Sequence, residues 1–306
     1  MSSDDRIRLD FLVLGAQKAG TTTLHDWLAA HPLIALPTFK ETHFFSHTKF
    51  AARGTAWYLR QFTEGKDEKF IGEIDPEYLF APSAPDLIAA KTTANKFIIL
   101  LRHPLERALS QYLMSLRRGY ERRSFAEALE LESVRLQCNP KGIALDHHSY
   151  ISRSLYTEQI VRYRKRFPEG AFLFLRSDEL NQEGYERICH FIGVPSATKS
   201  VDFGARSNIA STAKSGVLRD ALYAPEGKSA LRRLIVKAIP RSVKRRIFLT
   251  LDQMNQKPAE HDKSALLGSA PKESLAALLD DIDRLMPVVN LDLSDWRDDI
   301  ARRLEA

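Results

Sequence analysis

Cysteine is scarce in this chain: Cys138 and Cys189 are the two it has in 306 residues. So few exclude a disulfide framework, and no Cys/His spacing suits zinc. One bridge is arithmetically possible, but a reducing compartment is the simpler reading. Long apolar runs are also missing; none approaches the ~20 residues that span a bilayer. The opening Met1-Ser2-Ser3-Asp4-Asp5-Arg6 lacks the basic and then apolar profile of a signal peptide. There is no internal repeat. These absences speak against a stapled secreted module, a membrane-spanning helix and a solenoid. They leave a soluble cytoplasmic protein as the expectation.

What is present is ordinary for a globular enzyme, with 44% hydrophobic and 27% charged residues, which excludes a disordered or fibrous chain. The 45 Lys and Arg exceed the 39 Asp and Glu, for a net charge of +6. That excess suits an anionic ligand without naming one.

Apolar runs alternate with helical patterns. Asp10 to Leu14, Phe70 to Ile74, Lys96 to Leu101 and Ala171 to Leu175 read as buried strands, and Ile34 to Leu36 is strand-like. Helices are expected over Thr23–Ala30, from Pro104 through Leu116, and over Ser154–Arg166, Gln182–Ile192 and Lys272–Leu285. Strand–helix alternation predicts an α/β fold: a P-loop-like parallel sheet with helices on both faces. A mostly helical C-terminal extension follows, with Ser196–Lys214 as loop and Leu291–Trp296 capping the chain. The expectation is one domain over 1–306, with its core at about 8–195 and the extension at about 196–306.

Gly15-Ala16-Gln17-Lys18-Ala19-Gly20-Thr21-Thr22 sits between a strand and a helix. Successive backbone N–H groups there, with the positive end of the helix dipole, make an anion site. Thr21 and Thr22 add hydroxyls and Lys18 adds a charge. In the common nucleotide-triphosphate loop a lysine follows the second glycine; here Thr21 does. The strand through Leu101 is followed by Arg102, where a metal–triphosphate enzyme wants an acid. Arg102 thus supplies a second cation at the sheet edge, with Ser110 two turns into the next helix. Two separated cationic sites suit a ligand with two separate phosphates.

Gly15 to Thr22 resembles the 5′-phosphosulfate loop of the sulfotransferases that use 3′-phosphoadenosine-5′-phosphosulfate (PAPS). Leu101-Arg102-His103-Pro104 through Ser110-Gln111-Tyr112 resembles their 3′-phosphate segment. Lys40-Glu41-Thr42-His43-Phe44-Phe45, Trp57-Tyr58-Leu59 and Gly72-Glu73-Ile74-Asp75-Pro76-Glu77-Tyr78-Leu79 are similar to elements of the heparan-sulfate branch, both glucosaminyl 3-O and N-sulfotransferases. The resemblance covers about residues 10 to 195.

It implies a sulfotransferase that moves the sulfuryl group of PAPS to a hydroxyl or amine of a carbohydrate, glycolipid or small metabolite, releasing PAP and needing no metal. It implies Glu41 as general base and Lys18 on the leaving oxygen. Lys18, Ala19, Gly20, Thr21, Thr22 and Thr23 would hold the 5′ end, and Arg102 and Ser110 the 3′-phosphate. His43 assists Glu41, binds substrate or packs; Phe44 and Phe45 pack. Ile74 and Ser46 depart from the heparan pattern at positions expected to face the acceptor. A P-loop kinase or NTPase is the competing reading.

Residues 227 to 251 carry eight Lys and Arg and no acid, interleaved with apolar residues. The stretch 228–249 can lie on an anionic membrane, placing the chain peripherally at the inner membrane surface, or grip an anionic acceptor. No nucleic-acid motif accompanies the charge.

Overall fold

All five apolar runs become strands of one sheet in the computed structural model, which describes residues 6–62, 69–138, 142–204, 211–223, 250–252, 254–258 and 261–306. They are β1 (Phe11–Gly15), β2 (Ile34–Ala35), β3 (Phe70–Ile74), β4 (Phe97–Leu101) and β5 (Phe172–Arg176), in the order β2-β3-β1-β4-β5 with every neighbouring pair parallel. β1 and β4 are buried at every position. That is why both read as unbroken apolar runs rather than alternating ones. A Cβ on Gly72 would fall 2.2 Å from Phe11 Cζ, so glycine in β3 lets the Phe11 ring lie against it.

The strand order positions the site. The chain leaves β1 toward β2 and β3 on one side and leaves β4 toward β5 on the other. Beyond the carboxyl ends of β1 and β4 the connections diverge, and in open α/β sheets that crevice is where ligands bind. Gly15 to Gly20 and Arg102 follow these two strands directly.

The chain divides into two compact units. The first joins Met1–Pro104, Leu155–Ser207 and Ala277–Ala301 and contains the whole five-stranded sheet. Within it the helix Tyr156–Arg164 has no side-chain cap of its own. The Asp281 carboxylate supplies one, accepting from Tyr156 N at 2.7 Å and Thr157 N at 3.3 Å. Ser154 and Leu155 therefore stand outside a helix expected to begin at Ser154. Leu291–Trp296 is not a terminal cap either. Asp292 accepts from Ser294 N at 3.0 Å, and a helix runs over Ser294–Glu305. Trp296 is buried there under the Arg176 guanidinium, which pairs with Asp295 at 2.6 Å.

The second unit joins Leu105–Ser154, Asn208–Ala276 and Arg302–Ala306. It is largely helical, over Leu105 to Arg118 of the helix Pro104–Arg118 and over Phe125–Glu130, Glu132–Cys138 and Ile143–His147. Its buried charges are bonded, as burial demands. Arg107 donates to Ser154 Oγ at 2.6 Å, and Glu132 accepts from the Ile151 and Ser152 amides at 2.6 and 2.8 Å. Part of the expected loop Ser196–Lys214 is a strand, Ser211–Ala213, antiparallel to Gln256–Pro258. Both cysteines are free, Cys138 exposed and Cys189 buried. The basic stretch 228–249 lies outside the described residues.

Candidate active site

The helix after β1 begins at Thr21, two residues before its expected start, and runs to Ala29. Thr21 and Thr22 therefore occupy its first turn, where backbone N–H groups have no partner within the helix. Gly20 caps it at φ 98, with no side-chain cap and no acid in the first turn. Its φ of 98 is what favours glycine there; a Cβ would meet only the tip of the Leu180 side chain, Cδ1 at 2.4 Å, which can give way. Ala19, Thr21 and Thr23 are buried and Thr22 is half-buried. Arg102 turns back onto this loop and donates to the Lys18 carbonyl at 3.3 Å, while Tyr156 Oη fixes the Arg102 carbonyl at 2.9 Å. The two cationic motifs thus meet at one crevice.

The segment Lys40 to Phe45 is clamped from the end of β3. Glu73 and Asp75 lie two residues apart, so their side chains leave on one face, and both are fully buried. Glu73 accepts from Thr42 N at 3.1 Å and from the Tyr58 and Tyr78 hydroxyls at 2.7 and 3.0 Å. Asp75 accepts from His43 N at 2.6 Å and Glu77 N at 3.1 Å. Phe44 and Phe45 are buried, as expected of packing residues. Three of the four non-glycine residues at positive φ in the described chain are Lys18 (71), Glu41 (64) and His43 (55). Such backbone costs about 1–3 kcal/mol per residue and persists where surroundings over-determine it. Here the Glu73 and Asp75 bonds do so for Glu41 and His43.

Electrostatics follow from the buried carboxylates. Complete burial, reinforced by the neighbouring Asp75, pushes Glu73 up to about 7. Burial alone would push His43 down, but the Asp75 carboxylate in ion-pair contact at 3.1 Å outweighs it and raises the imidazole to about 9. A folded-state value above the ordinary 6.5 means the pair stabilises the fold fully below that pH and loses its contribution as pH rises through about 9. Unfolding free energy of the native protein minus that of Asp75→Asn should therefore shrink between pH 6.5 and 9. Urea titrations across that window measure it; a difference that stays flat or grows would remove the pair.

Glu41 is partly exposed, and the Lys40 ammonium lies 2.5 Å from its Oε1. Lys40 also donates to Thr22 Oγ1 at 3.1 Å, which joins the clamped segment to the Gly15–Thr22 loop. Sequence reasoning missed this lysine, since a Lys-Glu pair resembles solvated surface. It also missed the work of Glu73 and Asp75, although two acids at alternate positions on an apolar strand were a usable signal. The first unit brings together Lys18, Ala19, Gly20, Thr21, Thr22, Thr23, Glu41, His43 and Arg102. Ser110 is half-buried on the helix Pro104–Arg118 and belongs to the second unit. Ile74, expected to face the acceptor, is instead 1% exposed in the sheet.

Residues 8–230 match the family model described as "Sulfotransferase domain". Among curated proteins, "Membrane-associated sulfotransferase kil1" of Dictyostelium discoideum is 41% identical over 111 residues, 35% of this chain and 23% of that protein. "Heparan sulfate glucosamine 3-O-sulfotransferase 5" of Mus musculus is 27% identical over 176 residues, 56% of this chain and 49% of that protein. The chain thus spans half or less of the length of these two relatives. A crystal structure of a sulfotransferase from Alicyclobacillus acidocaldarius superposes with a TM-score of 0.61 at 24% identity, covering 95% of this chain and 99% of that one, which shows the shared fold.

Proposed function

The chain belongs to the sulfotransferase family, and on that premise we propose that it moves the sulfuryl group of PAPS to a hydroxyl or amine and releases PAP. The observation that carries this reading is the Lys40 bridge, which puts the phosphate loop beside Glu41. Sulfuryl transfer needs an anion cradle, a cation on the leaving oxygen and a base for the nucleophile, all in line.

In this reading the first turn at Thr21 and Thr22, with Lys18 to Thr23 around it, cradles the 5′-phosphosulfate. Arg102 takes the 3′-phosphate. Glu41 removes the acceptor proton as the acceptor atom bonds to sulfur. The sulfur–oxygen bond to the 5′-phosphate breaks, and Lys18 meets the charge left on that oxygen. His43, raised to about 9 beside Asp75, is an imidazolium near neutral pH. It serves as a cation or hydrogen-bond donor to the acceptor rather than as a second base. Carbohydrate, glycolipid and small-metabolite alcohols are the acceptor classes, reached by one sulfotransferase domain that needs no metal. Among the described residues no helix is long and apolar enough to cross a membrane. Contact with an anionic membrane or acceptor falls to the basic residues of 228–249.

Thermal denaturation with PAP, ATP, and ATP plus magnesium tests the reading against a kinase. A ligand at a hundred times its Kd stabilises the native state by about 2.7 kcal/mol. PAP without magnesium should raise the melting temperature most. A larger rise with ATP plus magnesium would reverse the assignment.

A further inference from the structure

The Lys40 ammonium stands between two negative partners, one resident and one arriving. The resident is Glu41, 2.5 Å away. The arriving one is whatever anion occupies the helix start, where Lys40 already donates to Thr22 Oγ1 at 3.1 Å. Both side chains are largely withdrawn from water, Lys40 19% and Glu41 31% exposed, so the attraction between them is not fully screened. An ammonium this close covers one oxygen, Oε1, of the carboxylate that the proposed reading makes the base, and lowers its tendency to take a proton. The backbone cannot follow the lysine away, because the residues after Glu41 are pinned through Thr42 N to Glu73 and His43 N to Asp75. A shift of the Lys40 side chain toward Thr22 therefore need not displace the backbone that carries the carboxylate.

We propose that Lys40 is a positioning residue that couples occupation of the donor site to release of Glu41: it masks the carboxylate while the site is empty and is drawn to the phosphosulfate when the donor binds. The proposal rests on the sulfotransferase reading. The donor brings more negative charge to Thr22 than one carboxylate holds at Glu41, which supplies the differential interaction such a shift requires. Base competence then follows donor binding, and the enzyme takes its donor before its acceptor proton can be removed. Coupling between sites is reciprocal. If the donor loosens the Lys40–Glu41 pair, the Glu41 carboxylate must weaken donor binding by the same factor, and it must do so through Lys40.

Calorimetric titration of PAP into four folded, full-length proteins tests this: wild type, Glu41→Gln, Lys40→Met and the double variant. Glu41→Gln removes the carboxylate that competes for Lys40 and should tighten PAP about 5-fold, the lower end of usual couplings. Lys40→Met should weaken PAP. Adding Glu41→Gln to Lys40→Met should then change Kd by less than about 2-fold, the scatter of independent sites. With Lys40→Arg, which keeps a cation, the tightening by Glu41→Gln should return; this background also serves if Lys40→Met folds poorly. Equal tightening with and without a cation at position 40 would mean plain repulsion between carboxylate and ligand, and would overturn the coupling. So would no tightening in the wild-type background. Failure of PAP to bind wild type at all would bring down the sulfotransferase reading and this proposal with it.

Discussion

Glu41→Gln should lower turnover about 10²-fold or more, the scale of general-base catalysis, while PAP binds at least as tightly as before. Glutamine keeps the size and hydrogen-bonding reach of the side chain but cannot take a proton. The Thr42–Glu73 and His43–Asp75 bonds that shape this segment do not involve the Glu41 side chain, so its geometry survives the change. The measurement is single-turnover transfer to an identified acceptor, with PAP affinity determined separately. Near-normal turnover would move the base elsewhere. His43 would be a poor replacement near neutral pH, since its value of about 9 leaves it protonated.

Lys18→Ala should damage both quantities, with turnover down about 10²- to 10³-fold, as when one group stabilising transition-state charge is removed, and PAP affinity reduced as well. The double loss follows from position. Lys18 lies in the loop that cradles the donor in the proposed reading, so its charge meets the phosphate both before and during transfer. Because Lys18 sits at φ 71, a backbone effect must be separated from a charge effect. Lys18→Gly accepts that angle without strain. Equal losses in Lys18→Ala and Lys18→Gly assign the effect to charge. Recovery of turnover in the glycine variant would assign it to the backbone and remove Lys18 from the chemistry.

The centre of the sheet was legible because β1 and β4 are fully buried, and full burial in a parallel sheet writes itself as unbroken apolar runs. The turn from Gly15 to Gly20 was legible because a tight strand-to-helix turn needs glycines, and the helix does begin at Thr21. Pairings across long stretches of chain were not. Lys40 meets Thr22 across 18 residues, His43 meets Asp75 across 32, and Asp281 caps a helix 125 residues away. No local periodicity encodes such partners. The short stretch Ser211–Ala213 fails for a related reason. It carries no apolar alternation, and it is a strand only because Gln256–Pro258 pairs with it. By contrast, the start of the last helix had a local sign that went unread: Asp292, two residues before Ser294, bonds its amide.

The left-handed backbone at Lys18, Glu41 and His43 sets the chemistry proposed for these residues against heat resistance. Glycine relieves strain at such angles, so a screen that rewards survival on heating and nothing else has reason to replace these three residues. The remaining non-glycine residue at positive φ among the described residues, Asn290, is already of a type that tolerates the angle. Directed evolution for robustness would thus erode the residues proposed to bind and transfer before it touched the rest of the chain. Thermostable variants of this protein are best selected with PAP retention as a second criterion from the first round.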